Sequence, residues 1–285
     1  MTDSRLLAAA LRPIAVFDSG VGGLSVLRYL RAFLPAEHLT YLADQAHVPY
    51  GPRTASEIQA FSRSITQFFL EQGAKMMVVA CNTATAAALN DLRATFPQLP
   101  FVGMEPAVKP GAATTRTGKV GVLATAGTFE SQRYARLMAR FAQDVVLYEN
   151  PCRGLVPLIE AGELDGTRTH ALLVNCMRPM LDAGVDTLVL GCTHYPFVLP
   201  TIRAIAGPDV HIIDPAPPVA RQAQRLLGEH GLLAPASQQG SIRAYTSGDP
   251  QRLAQMSEML LGYNLPVIGL RWDGLRLEMI TNTPA

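Results

Sequence analysis

The sequence predicts an α/β protein made of two similar, pseudo-symmetric α/β domains with largely parallel sheets and an active site between them. Three observations carry this expectation. Short apolar runs alternate with longer segments of helical period, the pattern of βαβ units whose sheets are covered on both faces. A strand followed by a hydroxyl residue and a small-residue turn occurs twice, IAVFDSG from Ile14 and VGVLATA from Val120, so that Ser19 matches Thr125 at an offset of 106. An apolar run ending in cysteine also occurs twice, MMVVA before Cys81 and TLVLG before Cys192, at an offset of 111. Two motifs repeated in order at nearly one offset indicate two related halves.

In chain order the expected strands are Ile14–Phe17, Leu39–Leu42, Met76–Ala80, Pro100–Val102, Val120–Leu123, Val145–Tyr148, Thr187–Leu190 and His211–Ile213. Between them, stretches such as Ser56–Glu71 and Phe129–Phe141 carry apolar residues three or four apart, the spacing of an amphipathic helix. Gly103–Thr117, rich in Pro, Gly and Thr, reads as a crossover between the halves, and Asp214–Pro218 as a second one. The last stretch of chain is therefore expected to return to the first domain. The boundaries are 1–104 plus 218–285 for that discontinuous domain and 105–217 for the other.

Composition excludes several classes. With 24 Lys and Arg against 23 Asp and Glu in 285 residues, the net charge of +1 offers no basic field for nucleic acid or an anionic membrane. Apolar runs such as Met76–Ala80 are far shorter than the ~20 residues of a membrane span. Four cysteines with no CxxC pair are too sparse for a disulfide scaffold. Residues 1–13 lack the basic cluster and apolar core of a secretory signal, so a cytoplasmic location with free thiols is expected.

Cys81 and Cys192 each follow a strand and precede an expected helix. Ligands of open α/β sheets bind at such strand ends, where free helix N–H groups attract carboxylates and favour thiolates. If the two halves face each other, the thiols approach a ligand from opposite sides. One thiolate can then remove a proton from one face of a carbon while one thiol returns a proton to the other, which inverts a stereocentre. The unperturbed thiol pKa of ~8.5 makes both forms accessible. Asp18 near the first cysteine and His194 near the second are candidate helpers, beside Ser19 and Thr193. Cys152 and Cys176 lack a hydroxyl-rich turn and read as structural. Cys192 and His194 supply two metal ligands and no third, so no metal is expected.

A dinucleotide-binding oxidoreductase is the remote alternative. Gly20 and Gly22 follow the first strand and Asp44 the second, where a ribose-binding acid would stand. Position 25 is Ser where the third glycine should be, and Asp18 suits a pyrophosphate poorly.

The stretches FDSGVGGLSVL (17–27), ADQAHVPYG (43–51), ACNTAT (80–85) and GCTHYP (191–196) resemble the glutamate racemase family of cofactor-independent aspartate/glutamate racemases. The likeness runs from about Ile14 to the region of Thr246–Asp249. It implies that Cys81 and Cys192 are the catalytic acid/bases, that no cofactor is needed, and that Asp18, Ser19, Pro49, Tyr50, Gly51, Asn82, Thr83, Thr125, Thr193 and His194 surround substrate. A catalytic glutamate is implied between the halves, best matched by Glu160 with Glu163 close by. The implied substrate is the small molecule glutamate, with aspartate as the alternative. The implied role is supply of D-glutamate for bacterial peptidoglycan, by a chain that binds neither nucleic acid nor membrane and is free to form a homodimer.

Overall fold

The computed structural model describes residues 3–280, so the first two residues of the amino-terminal stretch and the last five of the chain lie outside it. The first part of the chain alternates α1 (Asp3–Ala10), β1 (Ile14–Asp18), α2 (Leu24–Phe33), β2 (Leu39–Ala43), α3 (Ala55–Glu71), β3 (Met76–Val79), α4 (Asn82–Thr95) and β4 (Phe101–Gly103). After α5 (Val108–Thr114) come β5 (Lys119–Ala124), α6 (Ala126–Phe129), α7 (Gln132–Phe141), β6 (Val146–Asn150), α8 (Leu155–Glu160), α9 (Thr167–Asp182) and β7 (Thr187–Gly191). A 3₁₀ turn at Tyr195–Val198 leads into α10 (Leu199–Ala206) and β8 (His211–Ile213). The chain ends with α11 (Ala216–Glu229), β9 (Ile242–Thr246), α12 (Pro250–Leu261), β10 (Val267–Asp273) and β11 (Arg276–Met279).

These strands form two sheets, of order β11-β10-β9-β2-β1-β3-β4 and β6-β5-β7-β8. All pairings are parallel except β10 with β11. The order β2-β1-β3-β4 in one sheet is repeated as β6-β5-β7-β8 in the other, the structural counterpart of the repeated motifs. In both, the strand order reverses between the first and third strands of the unit. Their carboxyl ends therefore flank a switch-point crevice, the standard ligand position of open α/β sheets.

Burial explains why the central strands are legible in the sequence. Every residue of β1, β2, β3 and β7 is buried, because helices cover both faces. On α2, Leu24, Val26, Leu27 and Leu30 are buried, each contributing about 1.5–3 kcal/mol of apolar transfer. Helix α3 starts at a capping box in which the Thr54 hydroxyl accepts from the Glu57 N–H and the Glu57 carboxylate accepts from the Thr54 N–H.

The structure also corrects several expected bounds. The stretch Phe129–Phe141 is two helices, broken where the Ser131 hydroxyl caps α7 by accepting from the Tyr134 N–H at 3.1 Å. The crossover Gly103–Thr117 contains α5. Pro217 and Pro218 belong to the first turn of α11, where a missing N–H costs nothing. Strands β9, β10 and β11, which the sequence did not specify, extend the first sheet. The segment leading to β9 is anchored by buried Lys75, whose ammonium pairs with Glu37 and donates to the carbonyls of Ala10 and Leu232. No described helix is long and apolar enough to cross a membrane.

Candidate active site

The carboxyl ends of β1, β3, β5 and β7 meet at one small cavity of about 20 Å³. Its lining is Ser19, Pro49, Tyr50, Gly51, Cys81, Asn82, Thr83, Thr125, Val156, Cys192, Thr193 and His194, with no lysine or arginine. Asp18 and Glu160 stand directly behind this wall, bonded to Thr193 and His194. The residues singled out from the two halves of the sequence are thus gathered at one point.

Cys81 is the N-cap of α4, and its sulfur accepts from the Ala84 N–H at 3.4 Å. The thiol faces the Ser19 hydroxyl at 3.9 Å. Burial, then the nearby charge of Asp18, pushes the Cys81 thiol upward, against the smaller pull of the Ala84 N–H. Asp18 Oδ1 accepts from the Gly20 N–H at 2.8 Å and Oδ2 from the Thr193 hydroxyl at 2.8 Å, so one carboxylate joins β1 to the turn after β7. Burial raises its pKa more than His194 and these donors lower it.

The second thiol has a different neighbour. Cys192 Sγ lies 3.7 Å from His194 Nδ1, and His194 Nε2 lies 2.6 Å from Glu160 Oε1. Burial opposes a charge on His194, but its bonds to Cys192 and Glu160 outweigh that cost and hold its pKa well above the usual imidazole range. Burial likewise acts to raise Glu160, yet the His194 bond and charge and the Val21 N–H bring it below the usual carboxylate range. An imidazolium–carboxylate pair therefore stands beside Cys192, whereas a carboxyl group stands beside Cys81. Glu163 takes no part in this pair; it bonds Arg168 at 2.9 Å.

This packing gives Gly20 and Gly22 their reason. A Cβ on Gly20 would fall 1.9 Å from Glu160 Oε1, and one on Gly22 2.4 Å from His194 Nδ1. The glycines of the first turn admit side chains of the opposite half. Gly20 and Gly22 are also the pair that superficially suggests a dinucleotide loop.

Asp44 is a residue whose place the sequence did not reveal. Fully buried after β2, it accepts from the Tyr50 hydroxyl at 2.7 Å, the Ser247 hydroxyl at 2.7 Å and the Trp272 indole at 2.8 Å, with His47 Nδ1 at 2.9 Å. It thereby fixes the loop that carries Pro49, Tyr50 and Gly51, and the Val48–Pro49 peptide in that loop is cis. Its signal in the sequence was an acid at a strand end six residues before a tyrosine.

Both polar side-chain atoms of Asn82 are buried without a partner among the described residues, although Asn82 lines the cavity. Buried amides are rarely left unpaired, so this one is poised for a polar ligand. The Thr83 and Thr125 hydroxyls, from the two halves, bond each other at 2.8 Å at the edge of the same cavity.

Two switch-point crevices with a thiol from each half on one cavity accompany a likeness to known proteins that places the chain among the amino-acid racemases, which are isomerases. It belongs to the Asp/Glu/Hydantoin racemase family, whose model matches residues 24–223. The glutamate racemase of Pseudomonas paraeruginosa is 54% identical over 256 residues, covering 90% of this chain and 96% of that protein. A glutamate racemase isoform from Bacillus anthracis superposes with a TM-score of 0.84 at 32% identity, over 93% of this chain and 98% of its own. The Francisella tularensis glutamate racemase solved in complex with D-glutamate gives 0.79 at 31% identity, over 90% and 97%.

Proposed function

We propose that this chain interconverts L- and D-glutamate by a two-base mechanism in which Cys81 and Cys192 act on opposite faces of the α-carbon. The observation that carries the reading is the placement of the two thiols at equivalent strand ends, β3 and β7, on one cavity. One thiolate takes the α-proton, the electron pair stays on the α-carbon as a carbanion, and the opposite thiol delivers a proton to the other face. The two sulfurs exchange protonation states in the course of a turnover. Their roles reverse for the other enantiomer.

The remaining residues take supporting roles. Neutral donors hold the substrate carboxylates: the hydroxyls of Ser19, Thr83, Thr125 and Thr193, the unpaired amide of Asn82, and the N–H groups at the start of α4 and beside Gly51. Asp18 manages the proton near Cys81. His194, charged and held by Glu160, manages the one near Cys192. Closing the cavity excludes water and strengthens each of these contacts.

The reading divides the chain into domains 1–104 plus 218–285 and 105–217, with the site between them. The four cysteines are unbridged, which supports a reducing cytoplasmic setting, where D-glutamate would feed peptidoglycan synthesis. The test is circular dichroism of L-glutamate and, separately, L-aspartate with the purified chain and no added pyridoxal phosphate. Loss of signal with glutamate is expected. Turnover of aspartate alone would move the substrate assignment, and turnover of neither would refute the reading.

A further inference from the structure

A much larger cleft, about 1040 Å³, opens beside the cysteine cavity and shares Gly51 and Thr83 with it. Its walls come from the loop and first turn of α3, from α4, and from α6 and α7. Arg53, Arg133, Arg136, Arg140 and Arg153 line it. Two of these are engaged: Arg133 pairs with Glu105, and Arg53 binds the His47 carbonyl at 2.6 Å with Glu57 at 3.8 Å. Of the acids on the wall, Glu105 is thus spoken for, and Asp91 pairs with Arg63 at 2.7 Å. Glu130 is the remaining acid lining the cleft.

Arg136, Arg140 and Arg153 are exposed and make no ion pair or side-chain hydrogen bond among the described residues; Arg140 lies over the Phe141 ring. Arg136 and Arg140 stand one turn apart on α7, and Arg153 precedes α8, whose Val156 lines the cysteine cavity. Three guanidinium groups without a partner among the described residues, against one such acid at Glu130, therefore line the approach to a cavity that has no arginine or lysine of its own.

The contrast matters for a substrate with two carboxylates and one ammonium. Behind the cavity wall lie the carboxyl groups of Asp18 and Glu160, balanced only by His194. Nothing inside draws in a net anion from a distance. A cleft with an excess of one sign of charge does so, here five arginines against three acids, raising association rates by up to ~10–10³-fold, an effect that salt suppresses.

We propose that the arginine-lined cleft is a cationic vestibule, in which Arg136, Arg140 and Arg153 capture anionic dicarboxylate amino acids and pass them to the cysteine cavity. This inference rests on the glutamate racemase reading. The arginines are positioning residues, acting before the chemical step. They set kcat/KM and leave kcat alone.

The experiment is steady-state racemisation of glutamate in both directions at about 20 mM and about 300 mM KCl. The native chain should lose at least about threefold in kcat/KM at high salt, with kcat unchanged. The triple variant Arg136→Gln, Arg140→Gln, Arg153→Gln should lose a similar factor already at low salt and respond little to KCl. Arg136→Glu with Arg140→Glu should invert the slope, so that salt raises kcat/KM, which a loss of folding cannot mimic. Removing the same number of charges at exposed Arg221, Arg225 and Arg276, outside the cleft, should change neither parameter. Racemisation that is indifferent to salt and to the cleft variants overturns the vestibule while leaving the racemase reading intact, including when a second copy of the chain covers the cleft. Absence of racemisation by the native chain overturns both.

Discussion

Buried His194 and half-buried Glu160 form a pair 2.6 Å apart, and the same carboxylate oxygen accepts from the Val21 N–H at 2.7 Å. Glu160 therefore holds the imidazole beside Cys192 and also ties the second half of the molecule to the first turn of the other. Its loss should be felt in pH dependence as well as in rate. Glu160→Gln keeps the shape and removes the charge that holds His194 protonated. The activity of a two-thiol pair is expected to be bell-shaped in pH, with limbs that belong to the coupled groups. In Glu160→Gln the limb set by loss of the His194 proton should move to lower pH. An unmoved alkaline limb in kcat/KM would show that Glu160 does not tune the site.

The same pair makes a stability prediction. His194 has a raised pKa, so its contribution is complete below its unfolded value of ~6.5 and is lost as pH rises through the raised value. Glu160 has a lowered pKa, so its contribution is present above ~4.3 and is lost as pH falls through the lowered value. Between these limits the pair stabilises the folded state. At pH 7, Glu160→Gln should cost on the order of 1–3 kcal/mol in denaturant unfolding, with a smaller deficit well above the His194 pKa. A deficit independent of pH would contradict the ionic character of the pair.

Gly22→Ala should be severe. The added methyl would stand 2.4 Å from His194 Nδ1 and 2.5 Å from Thr193 Oγ1, and a displacement of about 1 Å in a catalytic group costs ~10²-fold. Gly166→Ala, where nothing lies within 4 Å, should retain full turnover. Measured kcat for the two variants, with thermal unfolding to confirm folding, checks this; equal kcat values would contradict the tight approach of His194.

Much of the fold is legible because β1 to β8 are short apolar runs between helical segments, within one or two residues of their expected bounds. β10 is hidden because it lies near the sheet edge against β11. Arg271 and Asp273 are exposed there and Gly269 interrupts the apolar run, so no alternation emerges. The site is legible where the repeat marks it, at Ser19, Cys81, Thr125 and Cys192. Glu160 and Asp44 are not marked by periodicity. Their partners lie 34 residues away at His194 and 228 away at Trp272, contacts that only the folded chain creates.

The cysteines outside the cavity provide a contrast. Cys152 and Cys176 are buried in the apolar core, where a free thiol behaves as a small hydrophobe. Cys152→Ala and Cys176→Ala should lower stability by roughly 1 kcal/mol and leave kcat within a factor of a few. A loss above tenfold with the fold intact would assign one of them to the chemistry.

The cavity of about 20 Å³ has room for about one water molecule, far less than glutamate needs. Glutamate therefore requires the site to open, and the Thr83–Thr125 bond joins the two halves at the cavity. Amide exchange at 49–51 and 193–195 should slow when D-glutamate is added, because the bound substrate holds the closed form. Unchanged protection at both segments would contradict gated access.

The two-base scheme is tested most directly by replacing each cavity thiol with a hydroxyl. Cys81→Ser and Cys192→Ser should each abolish racemisation, since an alkoxide is far too basic to replace a thiolate. A glutamate carrying a good leaving group on its β-carbon needs only one base for elimination. Each variant should therefore still consume one enantiomer of that compound, and the two variants should prefer opposite enantiomers. Full racemase activity in either variant, or the same enantiomeric preference in both, would contradict opposed action by Cys81 and Cys192.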